Sequence, residues 1–252
     1  MSGHSKWKTI QHKKGAADAK RGKIFSRLSK ELMVVARQGG SDPSMNPTLR
    51  TAIQKAKAAN MPADNIDRAV KKGAGEIEGV IFEEIVYEGY ASGGVGLIVM
   101  ALTDNKNRAA AEIRHIFTKN NSSFADKGSV SRGFERKGQI IIDASATDEE
   151  TLMELALEAG ADDIKTEEEA FEILTDPSAY TDVMDALAKA EIATINSEIS
   201  MVPLTTVPVS DPSQAKSVLK FIEALEDNDD VQNVYSNMDI ADEIMDELES
   251  GE

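Results

Sequence analysis

The chain has 252 residues, no cysteine and a formal net charge of −16 at pH 7. The length predicts two or three domains, and the lack of cysteine excludes a disulfide framework, a thiolate nucleophile and a cysteine-based zinc site. Residues 1–8 are not followed by the apolar core of a signal peptide, and the longest apolar run, 94–102, is far shorter than the ~20 residues of a membrane span. We therefore expect a soluble, cytoplasmic protein with no membrane partner.

The charge is distributed unevenly along the chain. Residues 1–73 contain 16 Lys+Arg and five Asp+Glu, a net charge of +11, whereas residues 74–252 contain 12 against 39, a net charge of −27. Such asymmetry is typical of a protein whose basic end binds nucleic acid or another anionic partner.

The first part of the chain predicts a small helical bundle, residues 1–78. Residues 1–16 lack apolar periodicity, which predicts a flexible arm. Apolar residues spaced by three and four predict a helix over 17–37, and Asn46-Pro47 predicts the start of a second helix that ends near residue 60. A third helix should start at Pro62 and close at Lys71-Lys72-Gly73.

Two α/β units follow. Strand-like runs over 80–87, 95–102 and 128–134, with a helix over 105–119, predict the order β-β-α-β. From residue 138 a strand, a helix capped by Thr147 and Glu150, two short strands, a helix at Asp176-Pro177 and a strand over 195–202 predict β-α-β-β-α-β, the ferredoxin-like order.

The last helix, from Asp211-Pro212, and a strand over 231–235 are too small to fold alone and would complete the first unit. We therefore predict an α+β protein of three domains: the helical bundle and two ferredoxin-like α/β domains, one inserted in the other. The discontinuous domain comprises 79–137 and 210–240, the insertion is 138–209, and 241–252 is an acidic tail expected to be frayed.

The candidate nucleic-acid contacts are basic. In the first helix the cations lie on an arc opposite the apolar stripe, and residues 1–40 hold only two acids, which favours phosphate binding over a solvated face. Trp7, within the basic arm, could stack on a base or pack on the bundle, and Arg114 with His115 could touch phosphate or solvent. The candidates are Lys6, Trp7, Lys8, His12, Lys13, Lys14, Lys20, Arg21, Lys23, Arg27, Lys30, Arg37, Arg50, Lys106, Arg108 and Arg114.

Catalysis is not expected. The chain has three histidines and lacks a HExxH zinc motif, a Walker loop and a Gly-x-Ser-x-Gly elbow. The acidic runs 167–169 and 227–230 lack the spacing of a calcium loop, which favours solvated turns. We predict a protein that is not an enzyme and has no catalytic residue, metal, cofactor or small-molecule substrate.

Several short stretches form a specific set that extends over most of the chain. They are Gly3-His4-Ser5-Lys6-Trp7, Asp18-Ala19-Lys20-Arg21-Gly22-Lys23-Ile24-Phe25, Asn46-Pro47, Asn60-Met61-Pro62, Tyr87-Glu88-Gly89-Tyr90, Asp104-Asn105-Lys106-Asn107-Arg108, Arg114-His115 and Gly128-Ser129-Val130. With these stretches the chain resembles the YebC/PmpR family. One segment departs from that pattern: residues 121–125 replace a glycine-rich turn, and Asn121 is the residue best able to adopt the positive φ that glycine would permit.

The resemblance implies a three-domain protein with an N-terminal helical domain and one α/β domain inserted in another. It also implies a transcriptional regulator that binds DNA, or, as in mitochondrial and some bacterial relatives, a factor that acts in translation. We therefore predict a regulator of gene expression that binds DNA through its N-terminal domain. The alternatives are a ribosome-associated factor that contacts ribosomal RNA or tRNA, and a protein-interaction module whose basic end docks an acidic protein.

Overall fold

The computed structural model describes residues 18–166, 170–241 and 243–245, with side chains in the first helix from residue 22 onward. Its N-terminal part is the expected three-helix bundle of α1 (Asp18–Gly39), α2 (Pro47–Ala58) and α3 (Ala63–Ala74). Leu28, Leu32 and Leu49 lie at the centre of its core. The predicted flexible arm, 1–16, lies outside the described residues.

Two residues shape the bundle. The Asn46 side chain caps α2 by accepting a hydrogen bond from the Leu49 amide, and its NH2 group donates to the carbonyls of Val35 and Gly40, so it also ties α2 to the end of α1. The prediction that Gly73 closes α3 is wrong. Gly75 closes it with φ of 79°, whereas Gly73 lies inside the helix.

The elements of the second unit are β1 (Glu83–Tyr90), β2 (Gly96–Thr103), α4 (Lys106–Lys119), β3 (Ser123–Ala125), α7 (Pro212–Glu226) and β9 (Val231–Ser236). The strands form a four-stranded antiparallel sheet with the order β3-β1-β2-β9, and α4 and α7 pack on one of its faces. The pairing of β2 with β9 joins residues from both sides of the intervening unit in one sheet.

The prediction of a strand over residues 128–134 is wrong. The third strand of this sheet is β3, and residues 131–133 form a 3-10 turn before the next strand begins at Phe134. The reason lies in the turn after α4, where Asn121 has φ of 51° and reverses the chain within three residues. The role expected of Asn121 is thereby confirmed.

The third unit confirms the ferredoxin-like prediction. Its elements are β4 (Phe134–Asp143), α5 (Glu149–Glu158), β5 (Ala161–Thr166), β6 (Ala170–Thr175), α6 (Tyr180–Lys189) and β7 (Thr194–Pro203). The sheet order β5-β6-β4-β7, with every pair antiparallel, is that of the split β-α-β fold. The prediction of a capping box at Thr147 is wrong. The Asp148 carboxylate caps α5 instead, by accepting a hydrogen bond from the Thr151 amide at 2.9 Å.

Each of the two α/β units has a layer of helices on an antiparallel sheet, but the order of the strands in the two sheets differs. In the first, the hairpin partners β1 and β2 are neighbours; in the second, β6 separates β4 from β5. The sheets meet where Ile98 and Tyr235 pack against Val130 and Phe134. The chain leaves and re-enters the first unit at adjacent points, since the Leu204 amide donates to the Gly133 carbonyl at 2.8 Å.

The chain end is partly packed. A parallel pair of short strands, β8 (Val207–Val209) and β10 (Met238–Ile240), closes the first α/β unit, and Ile244 and Met245 are buried in its core. The prediction of a frayed tail is therefore wrong for these two residues, and 246–252 lie outside the described residues. Within the described part of the chain, no helix combines the length and the apolar character of a membrane span.

Candidate nucleic-acid interface

The cationic side of α1 faces away from the bundle core, as expected, but it contacts a turn of the first α/β unit. This acidic turn comprises residues 226–230, from the last residue of α7 to the residue before β9. The Lys23 ammonium donates to the Asp227 carboxylate at 2.8 Å and to its carbonyl at 2.9 Å, and Arg27 donates to the Glu226 carbonyl. The last carbonyls of α7 form the negative end of its helix dipole, which favours these cations.

Lys30 makes the most enclosed of these contacts. Its ammonium lies 2.9 Å from the Asp230 carboxylate, 2.8 Å from the Asp229 carbonyl and 3.3 Å from the Leu102 carbonyl. The side chains of Lys30 and Asp230 are 15% and 4% exposed. The ring of Phe82 covers the ammonium, with its centre 5.2 Å away. This ion pair is therefore largely removed from water.

Asp230 is the centre of the contact. Its second carboxylate oxygen accepts from the Thr103 hydroxyl at 2.9 Å and from Arg108 at 2.9 Å. Burial by itself would raise the pKa of Asp230, but the hydrogen bonds from Arg108, Lys30 and Thr103 outweigh burial and hold the pKa below its usual value. One ionised carboxylate thus connects α1, β2 and α4.

Arg108 and Lys106 also have acidic partners within the chain. Arg108 bonds to Asp104 at 2.8 Å as well as to Asp230, and the hydrogen bonds to these two carboxylates raise its pKa. Lys106 pairs with Glu83 at 2.5 Å. Both cations are half exposed, and in this structure each of them neutralises an acid of its own domain.

The remaining candidates divide into two groups. Arg37, Arg50 and Arg114 are exposed, and Arg114 lies over the ring of Phe124 with 5.3 Å between guanidinium carbon and ring centre. Lys20 and Arg21 lie in the first turn of α1, where the backbone alone is described. Lys6, Trp7, Lys8, His12, Lys13 and Lys14 lie outside the described residues.

Sequence reasoning missed two carboxylates. The acidic run 227–230 was interpreted as a solvated turn, which is wrong for the buried Asp230, although the Asp227 side chain is 71% exposed. The sequence signal for the burial of Asp230 was the apolar Val231 that follows it.

The second is Glu88, in the middle of β1 and almost fully buried. It accepts from the amides of Gly128, Val130 and Ser131 at 2.6–3.0 Å and from the Ser131 hydroxyl at 2.9 Å. The available signal was its position directly after the apolar residues 85–87 of the strand.

Across residues 18–166, 170–241 and 243–245, no group of three or more histidine, aspartate or glutamate side chains is arranged to hold a metal ion.

Comparison with known proteins identifies the family. Residues 5–76 match the family model for the N-terminal domain of TACO1/YebC proteins, and residues 82–238 match the model for their second and third domains. The chain belongs to the TACO1/YebC family. The family is non-enzymatic, in agreement with the expectation from the sequence.

The similarity extends over the full length. A protein of Geobacter sulfurreducens named a probable transcriptional regulatory protein is 56% identical over 98% of this chain and 100% of its own length. A relative with the same descriptive name from Halothermothrix orenii is 55% identical over 98% and 99%. The crystal structure of a conserved hypothetical protein from Aquifex aeolicus matches with a TM-score of 0.82 and 48% identity, over 90% of this chain and 94% of that one.

Proposed function

We propose that this TACO1/YebC protein regulates transcription by binding DNA through its basic N-terminal domain. The observation that carries the proposal is the segregation of charge, +11 in residues 1–73 against −27 in the rest. Electrostatic attraction to phosphates provides most non-specific affinity for DNA, and a basic segment on an acidic protein is suited to it. The names of the relatives, probable transcriptional regulatory proteins, point in the same direction.

The contacts of α1 make some cations better candidates for this role than others. Lys23, Arg27 and Lys30 already donate to the acidic turn, and they hold the bundle on the first α/β unit. The proposed DNA contacts are therefore the basic residues of the arm, helped by the exposed Arg37 and Arg50. Asp18, the first residue of α1, precedes Lys23 by five residues, so α1 starts close to the acidic turn.

Binding of this kind is mainly electrostatic. The candidates are chiefly lysine and arginine, with few side chains suited to reading base edges. If about six phosphates are neutralised, log K should fall with log salt at a slope near −5 on duplex DNA and about −4 on a single strand. The same properties suit recognition of RNA by shape, so binding to ribosomal RNA, with a role in translation, is the second candidate function.

A matched pair of variants tests the proposal. In the arm variant Lys8, Lys13 and Lys14 become glutamine; in the control variant Lys189, Lys216 and Lys220, exposed on the acidic part of the chain, become glutamine. Both lose the same charge. We expect the arm variant to lose affinity for a promoter duplex by about tenfold or more and the control to resemble wild type. Equal affinities for all three proteins would refute the role of the arm.

The choice of nucleic acid decides between the candidate functions. Affinities for duplex DNA and for a structured RNA should be measured from about 0.05 to 0.3 M salt. A residual preference for one promoter sequence at about 0.2 M salt supports transcription, whereas equal binding to all duplexes and tighter binding to RNA supports translation. Binding to neither, together with binding to an acidic protein, would support the protein-interaction module instead.

A further inference from the structure

A group of exposed cations lies on the edge of the first α/β sheet, away from α1. Between residues 114 and 133 the chain has four Lys+Arg and one acid, although residues 74–252 as a whole have a net charge of −27. These four cations, named the β3 surface, belong to α4 and to the loop that follows β3. They are Arg114, Lys119, Lys127 and Arg132, all of them exposed.

The β3 surface differs from three other basic residues of this region. Lys106, Arg108 and Lys137 each pair with a carboxylate at 2.5–2.9 Å. Within the described part of the chain, no member of the β3 surface forms an ion pair. In a domain with a large excess of acids, unpaired cations attract an anion from outside more strongly than paired ones, because no local carboxylate compensates their charge.

The surface is held in place by packing and by a buried carboxylate. Arg114 lies over the Phe124 ring, and Phe124 packs edge-on against Phe117 with 5.0 Å between ring centres. The loop that carries Lys127 and Arg132 is fixed by the three amides and one hydroxyl that donate to Glu88. The Tyr90 hydroxyl adds a bond to the Ser129 carbonyl at 2.9 Å. Preorganised cations lose less entropy when they bind.

The polar residues between these cations are suited to phosphate. Asn121, Ser123 and Ser129 are exposed and uncharged. Contacts to nucleic-acid phosphates come from arginine and lysine together with serine, asparagine and backbone amides. A guanidinium that lies over an aromatic ring presents its N–H edge outward, which matches the paired oxygens of a phosphate.

The start of α4 lies near the start of α1. Lys23 and Arg108 both contact the acidic turn, so the start of α1 and the start of α4 both lie beside it. From Arg108 to Lys119 the helix rises about 16 Å, at about 1.5 Å per residue. This length corresponds to about five nucleotides along one strand, at about 3.4 Å each.

We propose that the β3 surface is a second phosphate-binding site, which contacts the backbone of the same nucleic acid that the arm binds. The inference rests on the proposed function and deepens it, because it assigns an acidic domain a direct part in binding. The two surfaces are far apart in sequence, and a nucleic acid that bridges them would follow α4 past the acidic turn. The ligand is recognised by backbone and shape, since the β3 surface offers cations and small donors.

The test uses the full-length protein. In the β3 variant Arg114, Lys127 and Arg132 become glutamine, and its matched control is the variant of Lys189, Lys216 and Lys220 described above, which loses the same charge. Affinities are measured on a duplex of about 20 base pairs and on an RNA hairpin of similar size, from about 0.05 to 0.3 M salt. Circular dichroism and the thermal midpoint show whether each variant is folded.

We expect the β3 variant to bind at least one probe about tenfold more weakly at ~0.1 M salt, with a duplex slope reduced by about 2–3, since each lost phosphate contact removes about 0.9. The control variant should stay within about twofold of wild type.

A β3 variant with wild-type affinity and slope, beside an arm variant that has lost affinity, overturns this inference and leaves the proposed function standing. If the wild type binds neither probe at low salt, both fail. If the β3 variant keeps its nucleic-acid affinity and loses binding to polyglutamate, the surface binds an acidic protein and the inference is wrong.

A second variant guards against misfolding of the first. Glu88→Gln leaves all four surface cations in place and removes the carboxylate that orders their loop. We expect it to weaken binding by a smaller factor than the β3 variant and to leave the duplex salt slope nearly unchanged, because the number of cations is the same. If Glu88→Gln lost more nucleic-acid affinity than the β3 variant, the loop would contribute to binding by something other than its cations.

Discussion

Lys30 and Asp230, 200 residues apart in the chain, form an ion pair of 2.9 Å that is almost closed to solvent. This pair, together with the bonds from Arg108 and Thr103 to the same carboxylate, holds the helical bundle against the first α/β unit. A cation expected to face phosphate is thus used inside the molecule.

Asp230→Asn should destabilise the protein. The substitution leaves Lys30 and Arg108 beside a neutral amide, and removing one partner of an enclosed pair costs about 2–4 kcal/mol of unfolding free energy. Asp229→Asn is the matched control, because Asp229 is exposed and contributes only its backbone carbonyl. It should cost less than about 0.5 kcal/mol. Urea denaturation of the full chain measures both, and equal losses in the two variants would contradict the prediction.

The contribution of Asp230 should depend on pH. Burial acts to raise the pKa of Asp230, but the hydrogen bonds from Arg108, Lys30 and Thr103 lower it by more, so the net direction is downward. A carboxyl group whose pKa is lower in the folded state stabilises the protein above its unfolded pKa of about 3.9, and this stabilisation is lost as the pH falls through the folded pKa. The stability difference between wild type and Asp230→Asn should therefore be full at pH 6 to 7 and shrink below about pH 4. Urea titrations at several pH values measure it, and a difference that does not vary with pH would count against this account.

Glu88→Gln should loosen the loop that carries the β3 surface. A glutamine has one acceptor oxygen, and its NH2 group would face amides that now donate to the carboxylate. We expect a loss of about 2–3 kcal/mol, because buried amides lose their acceptor. Hydrogen exchange at Gly128, Val130 and Ser131 should accelerate more than in the centre of β2. Glu84→Gln, on the exposed part of the same strand, is the control and should leave these amides protected.

Gly73 and Gly75 should respond differently to substitution. A Cβ on Gly73 would overlap the carbonyl oxygen of Met33 in α1, so Gly73→Ala should cost about 3 kcal/mol by forcing α1 and α3 apart. A Cβ on Gly75 meets open space, and the only penalty is its φ of 79°. Gly75→Ala should cost about 1 kcal/mol, and Gly75→Asn less, because asparagine tolerates this region. Thermal denaturation compares them; a larger loss at Gly75 than at Gly73 would refute the close approach.

Excision of the ferredoxin-like unit should leave a folded remainder only at suitable boundaries. Residues 133 and 204 are hydrogen-bonded neighbours, so removing 134–203 and joining the ends with a short Gly-Ser linker keeps the first sheet and the β8–β10 pair. Removing 138–209 instead cuts β4 and deletes the buried Val209. We expect cooperative urea unfolding for the first variant and a broader, weaker transition for the second. Non-cooperative unfolding of both would show that the first α/β unit does not fold without the insertion.

Much of this structure could be predicted from local sequence. Apolar residues spaced by three and four determined the helices of the bundle, and Asn46 and Asp211 marked two helix starts, because helix capping depends on residues within three positions. The alternation of elements after residue 134 determined the ferredoxin-like unit, and Asn121 was the evident choice for a tight turn. The excess of positive charge in residues 1–73 is a property of composition and needs no structure.

Three features were decided by the tertiary structure alone. The strand β3 is only three residues long, and its position depends on pairing with β1 across more than 30 residues. Glu88 and Asp230 are buried because amides and cations from distant segments converge on them, and no pattern near either residue reports those partners. The sequence predicted correctly which face of α1 is cationic, but it did not predict that this face contacts the acidic turn. Helical periodicity specifies which side of a helix is charged, whereas the partner of that side is set by the packing of domains that are remote in sequence.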